Sequence, residues 1–448
     1  MSRAFLVLGL LLTVAPPGPA IGQEGSPAGP VPVDRLRARR EALLRRIGNG
    51  IALIRNPSER SDDPPDSDYP QDNGFRPDPD FFYLTGLEEP DAWLALVARD
   101  SSPGQVLLFL PPRNPRQEQW LGKRLGAGAE AAALTGIAEQ NVRSTDRAER
   151  EIRRLFTEST GQAAGRPPLW IKRTRGNAQD SLLRSLVSET RVRTEDLSKA
   201  LAFLRQVKDQ DEIRRLRRAA EISAEGHLAA MREAKPGAWE YQLEAAAEGT
   251  FHRLGAERVG YPSIVGSGIN GTVLHYDLNR RQMEAGELVV MDMAAEFGYY
   301  SADVTRTIPV SGSFSERQRA LYDLVLGSQQ AAMDSVRPGT TLGRLDQIAR
   351  EYLRARSGTL CGDSPCDRYF IHGCCHHIGL DVHDPAASAA LRPGMVFTVE
   401  PGIYLVDEKL GIRIEDDVLV TETGYELLSG GVPRKAEEVE RAMSRGER

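Results

Sequence analysis

Four acidic residues stand where a buried β-strand should carry only apolar side chains. Asp292 and Asp303 lie in "GELVVMDMAAEFGYYSADVTRTIPV" (286–310), Glu400 interrupts "MVFTVEPGIY" and Glu415 interrupts "LGIRIEDDVLV". Side chains alternate along a strand, so Val290, Asp292 and Ala294 share a face, as do Ser301, Asp303 and Thr305. An unpaired buried carboxylate is costly, and two that face each other raise each other's pKa. Any one of them reads equally well as a strand-end residue turned to solvent or paired with Arg306 or Arg413. Four in one half of the chain require a shared counter-charge, and bound cations supply it.

The stretch "HGCCHHIGLDVHD" (372–384) holds four of the seven histidines. Four carboxylates and one imidazole make an oxygen-rich donor set whose charge balances two divalent cations. Such donors suit Mn²⁺ and similar ions better than a thiolate-rich zinc site does. Two cations in one site are a device for hydrolysis.

At 448 residues the chain is too long for one ordinary core, so two domains are expected. With 40% hydrophobic and 27% charged residues it has the make-up of a globular protein. A net charge of -6 argues against nucleic acid as a main partner. The basic run "RLRARREALLRR" (35–46) reads as the solvated face of a first helix. The N-terminus reads as an export signal: Arg3, an apolar run from Ala4 to Ala15, then small residues Ala20 and Gly22 at a cleavage site. Twelve apolar residues are too few to span a bilayer, which takes about 20. Residues 1–22 are therefore expected to be removed, leaving an exported periplasmic or secreted protein with no stable membrane insertion; an uncleaved anchor is the alternative. Export permits disulfides. The four cysteines are 361, 366, 374 and 375; Cys361–Cys366 is the favoured bridge, with free thiols at 374 and 375 as the remainder.

Residues 23–34 read as a flexible Pro/Gly-rich spacer, 35–200 as a first domain and 201–448 as a second. Strands are expected at 51–56, 81–87, 93–99 and 105–111, a long loop at 58–80 and a helix at 149–159. Two helices should meet near Lys208–Gln210. Beyond them come helices at 238–254, 315–335 and 341–355, and strands near 261–265, 272–276, 287–294, 299–309, 395–405, 410–421 and 425–428. A short helix, "KAEEVERAM", closes the chain. Helices and antiparallel strands segregate, which makes the fold class α+β. "GSGING" (266–271) matches a dinucleotide-binding fingerprint, but strand-like "TVLHY" follows where a helix must start. It reads instead as a hairpin loop that aims His275.

The strings "YPSIVGSGINGTVLHYDLN", "GELVVMDMAAEFGYYSADVTRTIP", "HGCCHHIGLDVHD", "LRPGMVFTVEPGIY" and "GIRIEDDVLVTETG" come in the order and spacing of the pita-bread metallopeptidases. The chain most resembles their aminopeptidase P branch; "FFYLTGLEEPDAWLALV" and "PRKAEEVERAM" extend the resemblance to both ends. It implies a creatinase-like α/β N-terminal domain and a C-terminal pita-bread domain with a curved, mainly antiparallel sheet flanked by helices. It implies Asp292, Asp303, His376, Glu400 and Glu415 as ligands of two divalent ions, manganese by preference, with cobalt or zinc as substitutes. Asp303 and Glu415 would bridge the ions, and Glu400 would also serve as general base and acid. His275, His372 and His383 would face substrate, Arg413 would orient a ligand carboxylate and His377 would be structural or exposed. The implied activity is release of the N-terminal residue from peptides with proline second, by a homo-oligomer. Alternatives are a prolidase acting on Xaa-Pro dipeptides and a metal-free pita-bread domain that binds partners. Cys374 and Cys375 depart from the small residues usual there.

Overall fold

The computed structural model describes residues 26–58, 75–99, 102–158, 167–172 and 181–444. The export-signal residues 1–22 and most of the expected 58–80 loop lie outside these. The first domain is a six-stranded mixed sheet in the order Val142–Ser144, Ser102–Leu110, Trp93–Arg99, Gly50–Arg55, Leu169–Ile171, Thr194–Asp196. Its central strands are buried on both faces and carry unbroken apolar runs.

The strand expected over 81–87 is a helix, Pro79–Thr85. Asp78 caps it, accepting from the Asp80 and Phe81 N–H groups, Pro79 sits in its first turn, and Gly86 ends it at φ 67°. Every residue from Asp80 to Thr85 is buried, so no polar face marks the helical period. The expected spacer is likewise corrected: residues 26–32 are docked. Val31 is buried, Arg215 donates to the Gly29 carbonyl at 2.9 Å, and the Ser26 hydroxyl donates to Glu257 at 2.6 Å.

The helix Leu197–Arg205 leads into the helix Gln210–Glu233, which a capping box at Asp209 and Glu212 starts. The paired strands of the second domain are all antiparallel: Ile264–Ser267, Leu288–Asp292 and Thr305–Pro309 form one sheet, Val396–Val399, Asp416–Val420 and Tyr425–Leu427 another, and Gly402–Leu405 pairs with Leu410–Arg413. The helices Glu240–Arg253, Glu316–Met333 and Leu342–Arg356 lie where their apolar period places them. Among the described residues no helix is long and apolar enough to cross a membrane.

The long strands expected here are all broken, and the breaks hold the acids. The 395–405 run divides at Glu400-Pro401, since proline has no N–H for a ladder. The 410–421 run divides at Ile414-Glu415, 299–309 at Ala302–Val304, and 287–294 after Asp292. The freed backbone bonds across sheets: Glu400 N–H donates to the Cys374 carbonyl and Glu415 N–H to the Thr305 carbonyl. No strand forms at 272–276. A 3₁₀ turn, Gly268–Thr272, stands there, packed so closely on the strand Leu410–Arg413 that a Cβ on Gly411 would lie 1.8 Å from the Gly271 carbonyl oxygen. No helix follows these glycines, as the rejected dinucleotide reading requires.

The two domains share a buried ionic cluster. Arg205 donates to Asp80 at 2.8 Å in the first domain, and to Asp381 at 2.6 Å and Asp384 at 2.5 Å in the loop that carries His383. Lys208 donates to Asp384 at 3.0 Å, and Lys172 pairs with Asp78 and Asp80 at 2.7 and 2.6 Å.

Candidate metal centre

Asp292, Asp303, His376, Glu400, Glu415 and Arg413 all line one cleft of about 530 Å³, together with His275, His372 and His383. Ligand atoms of Asp303, His376 and Glu415 lie within 4.8 Å of one another. His376 Nε2 stands 3.3 Å from Asp303 Oδ2 and 3.5 Å from Glu400 Oε1. Asp292 lines the same cleft but is held by proteins' own donors: Tyr261 gives its O–H to Oδ1 and Arg413 its Nη2–H to Oδ2, both at 2.6 Å. Arg413 thus orients a carboxylate, and the one it orients is Asp292. Arg306 takes none of the four acids; it pairs with Asp416 at 2.7 Å.

The strand register explains the convergence. Asp292 pairs with Thr305, two residues past Asp303. The Thr305 hydroxyl donates to Glu415 at 2.6 Å and accepts from Arg413 Nε at 3.1 Å. Asp303 N–H donates to Asp417 Oδ2 at 3.1 Å. Behind the sheet, His227 Nε2 lies 2.9 Å from the Met293 carbonyl and 3.1 Å from that of Val304, the residues following Asp292 and Asp303. A second chain of bonds runs from Arg413 Nη1 to the Tyr404 hydroxyl at 3.0 Å, and from that hydroxyl to His372 Nε2 at 2.8 Å. His372 Nδ1 then donates to the Gly373 carbonyl at 2.8 Å, the tautomer a neutral ring would hold here. Burial and the Arg413 charge hold its pKa down at about 4, in agreement. His383 lies at the exposed rim, its ring 4.1 Å from that of His376, and His275 is exposed beside the cleft. His377 is buried, and among the described residues its Nδ1 has no hydrogen-bond partner.

The electrostatics fit cations. Burial, with repulsion from Asp303, pushes Glu400 up to about 7 against the pull of His376. Burial and then Asp303 push Glu415 and Asp417 well above the carboxylate range, and burial raises Asp292 against the pull of Arg413. Burial lowers His376, but Asp303 and Glu400 outweigh it and hold the ring up at about 9. Asp417 Oδ1 is buried without a partner. One guanidinium cannot balance this set, and added positive charge can.

The stability consequence has a definite sign. An acid whose folded pKa is raised supports the fold below its unfolded pKa and loses that support as pH rises through the folded value. For Glu400 the loss runs from the ordinary carboxylate range to about 7 and is on the order of 3 kcal/mol; His376 adds a loss in the same direction through about 9. Chelator-treated protein should therefore melt at falling temperatures from pH 6.5 to pH 8, above the range in which His227, His372 and His377, each held down at about 4, act in the opposite direction, and divalent metal should reverse the fall at pH 8. A flat melting profile without metal would contradict this charge distribution. Metal uptake at pH 7 should also release protons, read as a dependence of titration heat on buffer.

Tyr261, Thr305, Tyr404, Asp417 and His227 support the site without having been assigned a role from sequence. Tyr261, Thr305, Tyr404 and Asp417 lie within the family-like blocks, and His227 lies outside them.

Comparison with known proteins agrees along nearly the whole chain. Residues 36–162 match the aminopeptidase P N-terminal domain and residues 214–422 match metallopeptidase family M24. The Xaa-Pro aminopeptidase of Escherichia coli is 34% identical over 443 residues, 91% of this chain and 97% of the relative. Xaa-Pro aminopeptidase 3 of Mus musculus is 31% identical over 83% of this chain and 77% of its own. The structure of zinc-substituted E. coli aminopeptidase P in complex with product superposes with a TM-score of 0.83 at 33% identity, over 94% of this chain and 100% of that one. A putative aminopeptidase P from Bacillus anthracis gives 0.85 at 30% identity, over 93% and 99%. An acid-lined cleft, a matching domain ahead of it and this agreement in sequence and shape lead to one assignment: the chain belongs to metallopeptidase family M24, in its aminopeptidase P branch.

Proposed function

We propose that the chain is an Xaa-Pro aminopeptidase, removing the first residue of peptides whose second residue is proline. The observation that carries this reading is the meeting of Asp303, His376 and Glu415 with Glu400 and three further imidazoles in one cleft. A metallopeptidase of this family works with divalent metal ions; the reading here is two manganese ions, held by Asp292, Asp303, His376, Glu400 and Glu415, with cobalt or zinc able to replace them. When bound, the ions supply the acidity that makes water a nucleophile at neutral pH and the positive charge that a developing oxyanion needs.

The chain's own residues do the rest. Glu400 takes the proton of the attacking water and returns it to the departing nitrogen. That transfer is required because an amide nitrogen must gain a proton to leave as an amine, and the proline nitrogen is no exception. His383 at the rim donates to the carbonyl oxygen as charge builds on it. His275 and His372 wall the cleft and position the peptide. Asp292, fixed by Tyr261 and Arg413, or a metal held there would receive the substrate's free α-amine, which restricts the reaction to chain ends.

Metal-stripped protein should leave an Xaa-Pro-Xaa tripeptide intact and release its first residue once Mn²⁺ is added. Cleavage of Xaa-Pro dipeptides with the tripeptide untouched would make the enzyme a prolidase instead. Export, with processing near residue 22, completes the proposal. It is supported by the signal-like N-terminus and by the Cys361–Cys366 disulfide. Such processing retains the docked residues 26–32. Homo-oligomerisation is proposed on the family resemblance, and light scattering tests it.

A further inference from the structure

We propose that Cys374 and Cys375 form a reversible modification site in the wall of the cleft, a vicinal dithiol that a low-molecular-weight disulfide closes into a disulfide between the two neighbours. Both thiols are free, and their sulfurs stand 2.7 Å apart, against about 2.05 Å in a formed bond. Cys375 lines the cleft, and Cys374 lies fully buried behind it. The chain thus offers one sulfur to a reagent and holds the second within reach of the first.

The chemistry proceeds by two exchanges. The Cys375 sulfur attacks the reagent's S–S bond, forming a mixed disulfide and expelling one small thiol. The Cys374 sulfur then attacks Cys375 Sγ and expels the second. In sum the pair loses two electrons and two protons, and the reagent disulfide gains both as two thiols. Burial slows the first attack, so the outcome is read after the thiol content has stopped changing.

The pair sits on the frame that holds the candidate ligands. The Cys374 carbonyl accepts the Glu400 N–H at 2.8 Å, the Cys374 N–H donates to Asp346 at 3.0 Å, and His376 follows Cys375 directly. The His376 carbonyl in turn accepts the Thr398 N–H at 2.8 Å. Closing a ring across residues 374 and 375 rotates both side chains and the peptide between them. The carbonyl that fixes Glu400 moves, and the backbone that aims His376 moves with it. The effect on metal rests on the function proposed above; the chemistry at the sulfurs does not.

The test treats full-length, manganese-loaded protein with cystamine to constant thiol content, then maps peptides by mass without reduction. The expected result is a loss of two hydrogens confined to the peptide holding Cys374 and Cys375, with manganese affinity weakened about ten-fold, the scale of a disturbed ligand frame. Dithiothreitol should reverse both. Cys375→Ser, unable to close the ring, should keep its own manganese affinity under the same treatment. Cys374→Ala should stop at the mixed disulfide on Cys375. A wild-type protein that stops at that mixed disulfide, or reacts at neither sulfur, overturns the proposal; so does a closed ring with unchanged manganese affinity. Ring closure and metal loss in a protein that cleaves no Xaa-Pro peptide would support this site and overturn the function.

Discussion

Asp303→Asn is expected to lose manganese and to lower turnover of an Xaa-Pro-Xaa peptide by about three orders of magnitude, on the order of 4 kcal/mol of barrier. The substitution preserves shape and leaves the Asp303 N–H bond to Asp417 in place. What it removes is one negative charge and one ligand oxygen at the point where His376 and Glu415 converge. A metallopeptidase role and a purely structural role part company in the metal-free state. Asp303 raises both Glu415 and Asp417 by repulsion, so the metal-free variant should melt no lower than metal-free wild type at pH 8, and higher if repulsion dominates. Metal content, turnover and melting temperature measured on the same samples check all three. Full manganese with full activity would falsify the assignment of this residue.

Arg205→Met is expected to destabilise the protein by about 3–5 kcal/mol, the usual cost of stripping one partner from a buried ion cluster. Arg205 is buried and touches Asp80, Asp381 and Asp384 at once. Without it Asp384 keeps one cation, Lys208, beside the Asp381 N–H, and Asp80 keeps one cation, Lys172, across the domain junction. The loop between Asp381 and Asp384 carries His383, so turnover should fall as well, with the loss in kcat larger than any rise in KM. Arg205→Lys should recover only part of either quantity, since a single ammonium cannot replace a planar fork across three carboxylates. Denaturant unfolding and steady-state kinetics check it. An unchanged unfolding midpoint would show that the cluster does not hold the two domains in register.

The acids of the site are legible in sequence because each breaks an apolar run, and a charged residue in such a run needs a reason. Their partners are not. Thr305 is an ordinary strand residue until the register sets it beside Asp292 and sends its hydroxyl to Glu415. Asp417 looks like the solvated half of "EDD", yet it is buried and receives the Asp303 N–H. His227 lies on an expected helix but 66 and 77 residues before the two carbonyls it reaches, and nothing in the helical period links them. Pro79–Thr85 shows the same limit at the level of fold: a helix buried on every side displays no period, so aromatic residues weigh toward strand. The strand breaks were half visible, since Pro401 announces one of them, whereas nothing in "GIRIEDD" announces the interruption before Asp416.

Gly271 and Gly411 meet as bare backbone, and each stands four residues before a functional side chain, His275 in one case and Glu415 in the other. At that seam the segment leading to His275 and the strand leading to Glu415 touch through main chain alone. Even one methyl group there would push the two segments apart. The separation of their first residues is therefore gauged by the backbone, and no exchange of side chains elsewhere in the cleft resets it.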